Sequence, residues 1–183
     1  MLRVTAILAI TMGLAACGKS YPMIPETTPS AVLTFDRTPN SRTLFINMTG
    51  ISIFENPDCE ETEFSGGAAH IVENDPRLQI RVQAGQPIWV ITDTYSVRQI
   101  SPFEEEVGGC ARQVGFLPVA GQRYQAIIRT WMDECSIQVV QADGTPINNT
   151  PDSLPPEGCR GVSQMAVNRI NNQRARQGKP PIQ

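Results

Sequence analysis

The chain has 183 residues, 40% of them hydrophobic and 18% charged, which is enough apolar material for one packed domain and excludes a chain disordered throughout. Its formal charge of −3 hides an asymmetry: residues 17–159 hold 9 Lys+Arg against 18 Asp+Glu, a net of −9, while residues 160–183 hold five bases and no acid, a net of +5. An acidic body argues against nucleic acid as a partner. A single His excludes multi-histidine metal sites, and no cofactor is expected.

The chain opens with Arg3 and a nearly continuous apolar run, Val4 to Ala16, too short to span a bilayer but of the length of a signal-peptide core. The run ends Leu14-Ala15-Ala16-Cys17-Gly18. This resembles the lipobox of bacterial lipoproteins, in which an aliphatic residue and two small residues precede the lipidated cysteine. The resemblance implies removal of residues 1–16 and diacylglycerol on the Cys17 sulfur. It also implies a cell-envelope location, with Gly18 in place of Asp favouring the outer membrane, facing the periplasm. Several acyl chains would anchor the protein stably where one binds only marginally.

Residues 17–30 read as the lipidated cysteine and a tether, because Pro22, Pro25 and Pro29 favour extended backbone. Fully extended, the 13 residues from Gly18 to Ser30 reach about 40 Å.

From residue 31 to 147 the pattern is that of short strands. Leu78, Ile80 and Val82 alternate with polar residues in RLQIRVQ, and Tyr124, Ala126 and Ile128 alternate with Gln125 and Arg129 in RYQAIIRTW. Ile88-Trp89-Val90-Ile91 reads as a central strand with Trp89 in the core. Thr49-Gly50 and Asp143-Gly144 read as turns. Strands are expected at 31–36, 43–48, 51–55, 68–73, 77–83, 87–95, 111–117, 123–131 and 135–141. The fold class is therefore all-β: an antiparallel β-sandwich of about eight or nine strands. Residues 148–183 read as a Pro-rich loop, a marginal helix over 161–177 and a basic tail.

Four cysteines besides Cys17 suit two disulfides in an exported protein: Cys59, Cys110, Cys135 and Cys159. Their separations of 51, 25 and 24 residues contain no paired zinc spacing, so no metal is expected. Cys110-x5-Phe116-x-Pro118-x2-Gly121-x2-Tyr124, followed by Cys135-x-Ile137-x-Val139, resembles a pattern in small uncharacterised β-sandwich lipoproteins of bacterial envelopes. The resemblance implies architecture without an activity, and carries Cys110 and Cys135 together. A three-strand meander with a turn at Pro118 to Gly121 opposes that pairing. It sets both cysteines opposite Thr130 on either side of one strand, about 9.6 Å apart, beyond the roughly 7 Å a disulfide spans. Cys59 with Cys159 is what the resemblance leaves over.

Candidate chemistry is sparse. Ser65, His70 and Asp75 include the residue types of a catalytic triad, but no nucleophile elbow surrounds Ser65, and no catalytic residue is assigned. The acidic clusters at Glu55, Asp58, Glu60, Glu61 and Glu63, and at Glu104 to Glu106, read as solvated loops, since the first lacks calcium-loop spacing. Trp131 at a strand end suits either packing or a glycan or peptide contact. The expected role is non-catalytic binding or structure, with the membrane as partner through Cys17 and an envelope protein or glycan as a further one. A periplasmic enzyme inhibitor or adaptor is the alternative.

Overall fold

A computed structural model describes residues 20–39, 44–60, 62–71, 77–101, 104–131 and 134–154, and short stretches near the C-terminus. Eight strands follow in chain order: β1 Ser30–Pro39, β2 Leu44–Phe54, β3 Gly66–Ile71, β4 Arg77–Gln83, β5 Ile88–Ser101, β6 Glu104–Phe116, β7 Arg123–Trp131 and β8 Glu134–Gln141. They form two four-stranded sheets, ordered β4-β1-β7-β8 and β3-β2-β5-β6, packed as a β-sandwich. All pairings are antiparallel except β1 with β7, which is parallel.

Period-two alternation builds the core. Ala31, Leu33 and Phe35 on β1, Val82 on β4, Tyr124, Ala126 and Ile128 on β7, and Ile137 and Val139 on β8 point inward from the first sheet. Ile51 and Ile53, Ile71, Ile88 and Val90, and Val114 and Phe116 meet them from the second. The Val, Leu, Ile and Phe side chains buried this completely each contribute about 1.5–3 kcal/mol of transfer free energy.

Three expectations about the strands need correction. Thr49-Gly50 is not a turn: it lies inside β2, with Gly50 opposite His70 on one side and Asp93 on the other. The expected strands 43–48 and 51–55 are thus one strand, and the described residues form eight. Second, β6, β7 and β8 are not a meander. The connection through Pro118 and Gly121 crosses from one sheet to the other, so Phe116 and Tyr124 meet edge to face across the core, ring centroids 5.1 Å apart. Gly121 takes φ +76° there, a conformation that favours glycine. Third, Trp89 points away from the core. Its cross-strand partner is Gly115, where a Cβ would stand 2.7 Å from the indole Nε1, so the missing side chain is what lets the ring lie flat on β6. The apolar run misled because β5 is buried on both faces: Ile91, outward by parity, has no exposure.

The Asp143-Gly144 turn is as expected. Gly144 has φ +87°, and the Thr145 amide donates to the Asp143 carboxylate at 2.9 Å, which holds that carboxyl below its usual range.

Two non-strand segments protect sheet edges that would otherwise expose unpaired backbone. Residues 149–153 run along β6: Ser153 N–H donates to Gln113 O at 3.0 Å, Gln113 N–H returns to Ser153 O at 2.8 Å, and Thr150 N–H donates to Gly115 O at 2.8 Å. At the opposite edge Ser20 bridges Gly67 of β3, and Tyr21 N–H donates to Gly67 O at 2.6 Å. Residues 20–29, expected to be part of a free tether, therefore lie on the body. Ile24 is buried, and Arg81 donates to Ser30 Oγ at 2.7 Å and to Pro25 O at 3.4 Å. The expected helix over 161–177 falls mostly outside the described residues, although Asn171, Arg174, Ala175 and Arg176 are helical.

Candidate functional site

The sandwich has two unlike ends. At one, where β1 and β7 begin and β2 and β6 finish, the interior is apolar. Toward the other, the inward positions turn polar. Continuing the alternation of Ala31, Leu33 and Phe35 places Arg37 inside, 2% exposed. Thr49, Thr94, Ser96 and Thr130 are buried inward positions of neighbouring strands, and the Thr49 and Thr94 hydroxyls share a hydrogen bond of 3.1 Å. A cation kept inside a sandwich is stabilised only by hydrogen-bonding and charged neighbours, so this end holds much of the protein's polar chemistry.

The same end carries the disulfide. Cys110 of β6 bonds Cys135 of β8, with Cα atoms 6.0 Å apart. The resemblance paired these residues correctly. The meander geometry opposed the pair because it put both strands in one sheet. With β6 and β8 as edge strands of opposite sheets, the bond clasps the open side of the sandwich. Cys135 does lie opposite Thr130, but Cys110 lies opposite Thr94.

Around the clasp, Arg112 donates from Nε to Cys135 O at 2.8 Å and lies 3.8 Å from Asp152. Asp152 accepts from Ile137 N–H at 3.2 Å. Burial raises its carboxyl above the usual value, against the lowering effects of the Ile137 amide and the Arg112 charge. One arginine and one aspartate thus join β6, β8 and the trailing segment. Neither residue stood out in the sequence, since each partner is distant in the chain.

Trp131 ends β7 at this same end, half-buried. The Arg98 guanidinium of β5 lies over its ring, 5.8 Å from the centroid, an interaction of about 0.5–1 kcal/mol at a partly exposed site. The ring is thus held in place by a partner on the facing sheet. An oriented aromatic plane and adjacent guanidinium can stack on and hydrogen-bond a flat or polar ligand; they supply no nucleophile or proton-transfer pair.

Ser65 and His70 are not brought together. Ser65 is fully buried, accepting from Thr62 N–H at 2.6 Å and donating to Thr62 O at 3.2 Å, so its hydroxyl closes a loop. His70 lies five residues further along the chain on β3, about 16 Å away at strand rise. Asp75 lies outside the described residues.

The first acidic cluster occupies the β2–β3 connection. Asn56 organises it, donating to Glu60 O at 3.0 Å and accepting from Glu60 N–H at 2.9 Å, and Gln86 donates to Glu55. Among the described residues no three His, Cys, Asp or Glu side chains come together as a metal site. Glu104 to Glu106, expected in a loop, instead open β6, with Glu106 opposite Arg98.

Cys59, in the β2–β3 connection at φ +61°, is itself disulfide-bonded. Its partner lies outside the described residues, as do Cys17 and Cys159. Among the described residues no helix is long and apolar enough to cross a membrane. Compared with known protein families and with curated proteins, the chain finds no match in either.

Proposed function

We propose that this protein is a lipid-anchored module of the bacterial cell envelope, with a non-catalytic binding or structural role on a rigid β-sandwich. The observation that carries the reading is the sequence Leu14-Ala15-Ala16-Cys17 at the end of a short apolar leader. Acyl chains on Cys17 hold the protein to the outer membrane, facing the periplasm. The Cys110–Cys135 bond supports the reading, because such bonds persist in oxidising compartments. Cys59 with Cys159 makes the second bond. The envelope partner, a protein or glycan, meets the end that carries Trp131 and Arg98. Membrane fractionation tests the anchor: wild type sediments with membranes, and Cys17→Ser is released. A Cys17→Ser protein that stays membrane-bound would overturn the reading.

A further inference from the structure

We propose that the apolar end of the sandwich lies directly against a phospholipid bilayer, with Leu117, Val119 and Met23 in its interface. This rests on lipidation at Cys17 and says how the anchored body sits. Only Gly18 and Lys19 separate Cys17 from Ser20, so the two are at most about 11 Å apart along extended chain. Ser20 is already bridged to Gly67, and the residues after it are fastened to the body by the Tyr21 amide, buried Ile24 and Arg81. The tether that would hold the body away from lipid is used up in packing.

What the anchor draws to the membrane is then fixed by where the lead-in enters. Ser20 meets the first residues of β3, and the lead-in delivers the chain to Ser30 at the start of β1. Backbone hydrogen bonds link this corner to the neighbouring connections: Ala84 N–H to Pro29 O at 2.9 Å, Gly85 N–H to Pro118 O at 3.0 Å, and Gly121 N–H to Ser30 O at 2.9 Å. The lead-in, the β4–β5 turn and the β6–β7 connection are therefore one fastened surface. It bears three large apolar side chains that packing leaves outside: Met23 at 94% exposure, Leu117 at 52% and Val119 at 54%. Apolar side chains at loop ends beside a lipid anchor have an occupant within reach, the acyl boundary of the bilayer.

The charge nearby narrows the lipid. Glu55, Asp58, Glu60 and Glu63 stand in the β2–β3 connection at the same end. They would repel an anionic surface, so the contact favours zwitterionic headgroups.

The two tryptophans report orientation, because Trp89 is the second residue of β5 at the apolar end and Trp131 ends β7 at the other. The mature, oxidised protein, with its N-terminus as the cell processes it, is reconstituted into phosphatidylcholine vesicles containing brominated acyl chains, which quench only at short range. In Trp131→Phe the remaining Trp89 should be quenched at least twofold more strongly than Trp131 is in Trp89→Phe. Where Trp89→Phe does not fold, wild type against Trp131→Phe gives the same comparison. Adding Leu117→Ser and Val119→Ser should at least halve Trp89 quenching while the protein still floats with the vesicles. Replacing half the lipid by phosphatidylglycerol should reduce quenching. A protein that floats but shows equal quenching of both tryptophans, or stronger quenching of Trp131, would overturn the orientation and leave the apolar end for another macromolecule. Unchanged quenching in the serine variant would overturn the role of the two side chains. Failure to float would instead refute the lipid anchor, and the bilayer contact with it.

Discussion

Removing the Cys110–Cys135 bond through Cys110→Ala with Cys135→Ala tests the clasp. The bond spans 25 residues in sequence, a stretch that includes the whole of β7. In the chain-entropy account, closing a loop of that length removes about 12 cal/mol/K from the unfolded ensemble, or about 3.5 kcal/mol at 25 °C. Lost sulfur packing adds to this, since Cys135 is buried. Urea unfolding followed by tryptophan fluorescence is the assay. With a slope near 2 kcal/mol/M, the midpoint should fall by about 1.7 M. The slope should rise, because the unlinked chain exposes more surface when unfolded. Most of the loss should appear although the Arg112 hydrogen bond to the Cys135 carbonyl survives, since that acceptor is backbone. A midpoint shift below about 0.5 M with an unchanged slope would mean that β6 and β8 are held together without the bond.

Non-reducing peptide mapping should join Cys110 to Cys135 and Cys59 to Cys159; a peptide joining Cys59 to Cys110 would contradict both. Gly115→Val should displace the Trp89 indole, shift its emission to longer wavelength and cost about 1–3 kcal/mol, whereas a neutral effect would show that the ring does not need the bare backbone. Burial pushes the Tyr21 phenol up to about 12 from 10, so the unfolded chain ionises first and stability should fall as pH rises through that interval. Tyr21→Phe should lack this fall in urea titrations on either side of pH 10, and an identical fall would mean that Tyr21 is not docked. Asp152 is raised by burial, so the folded state holds its proton more tightly and stability should decline as pH rises from 3.8 through the raised value; Asp152→Asn should lose that component of the curve.

How much the sequence disclosed depended on whether the deciding contact was local. β4 and β7 run over the expected residues because the inward residues of RLQIRVQ and RYQAIIRTW recur at every second position and pack toward the core. The break at Thr49-Gly50 failed for a specific reason. Glycine marks turns, but it also marks strand positions with no side chain to pack, and only the partners His70 and Asp93 distinguish the two. The parallel pairing of β1 with β7 leaves no local mark, nor does the change of sheet between Phe116 and Tyr124. Sequence neighbours usually pair, which made the meander the natural assumption and turned the disulfide into an apparent contradiction. Trp131 was legible as a strand-end aromatic, but Arg98 was not, because it comes from the facing sheet. Arg37 could have been read from its place in the alternation of β1, had a charged residue at an inward position been allowed.

The anchor is the claim on which location, orientation and role all depend, and mass spectrometry of the mature N-terminal peptide addresses it most directly. The mature chain should begin at Cys17 and carry a diacylglyceryl group on sulfur and a further acyl chain on nitrogen. A mature chain beginning at any other residue, or at a Cys17 without lipid, would contradict it.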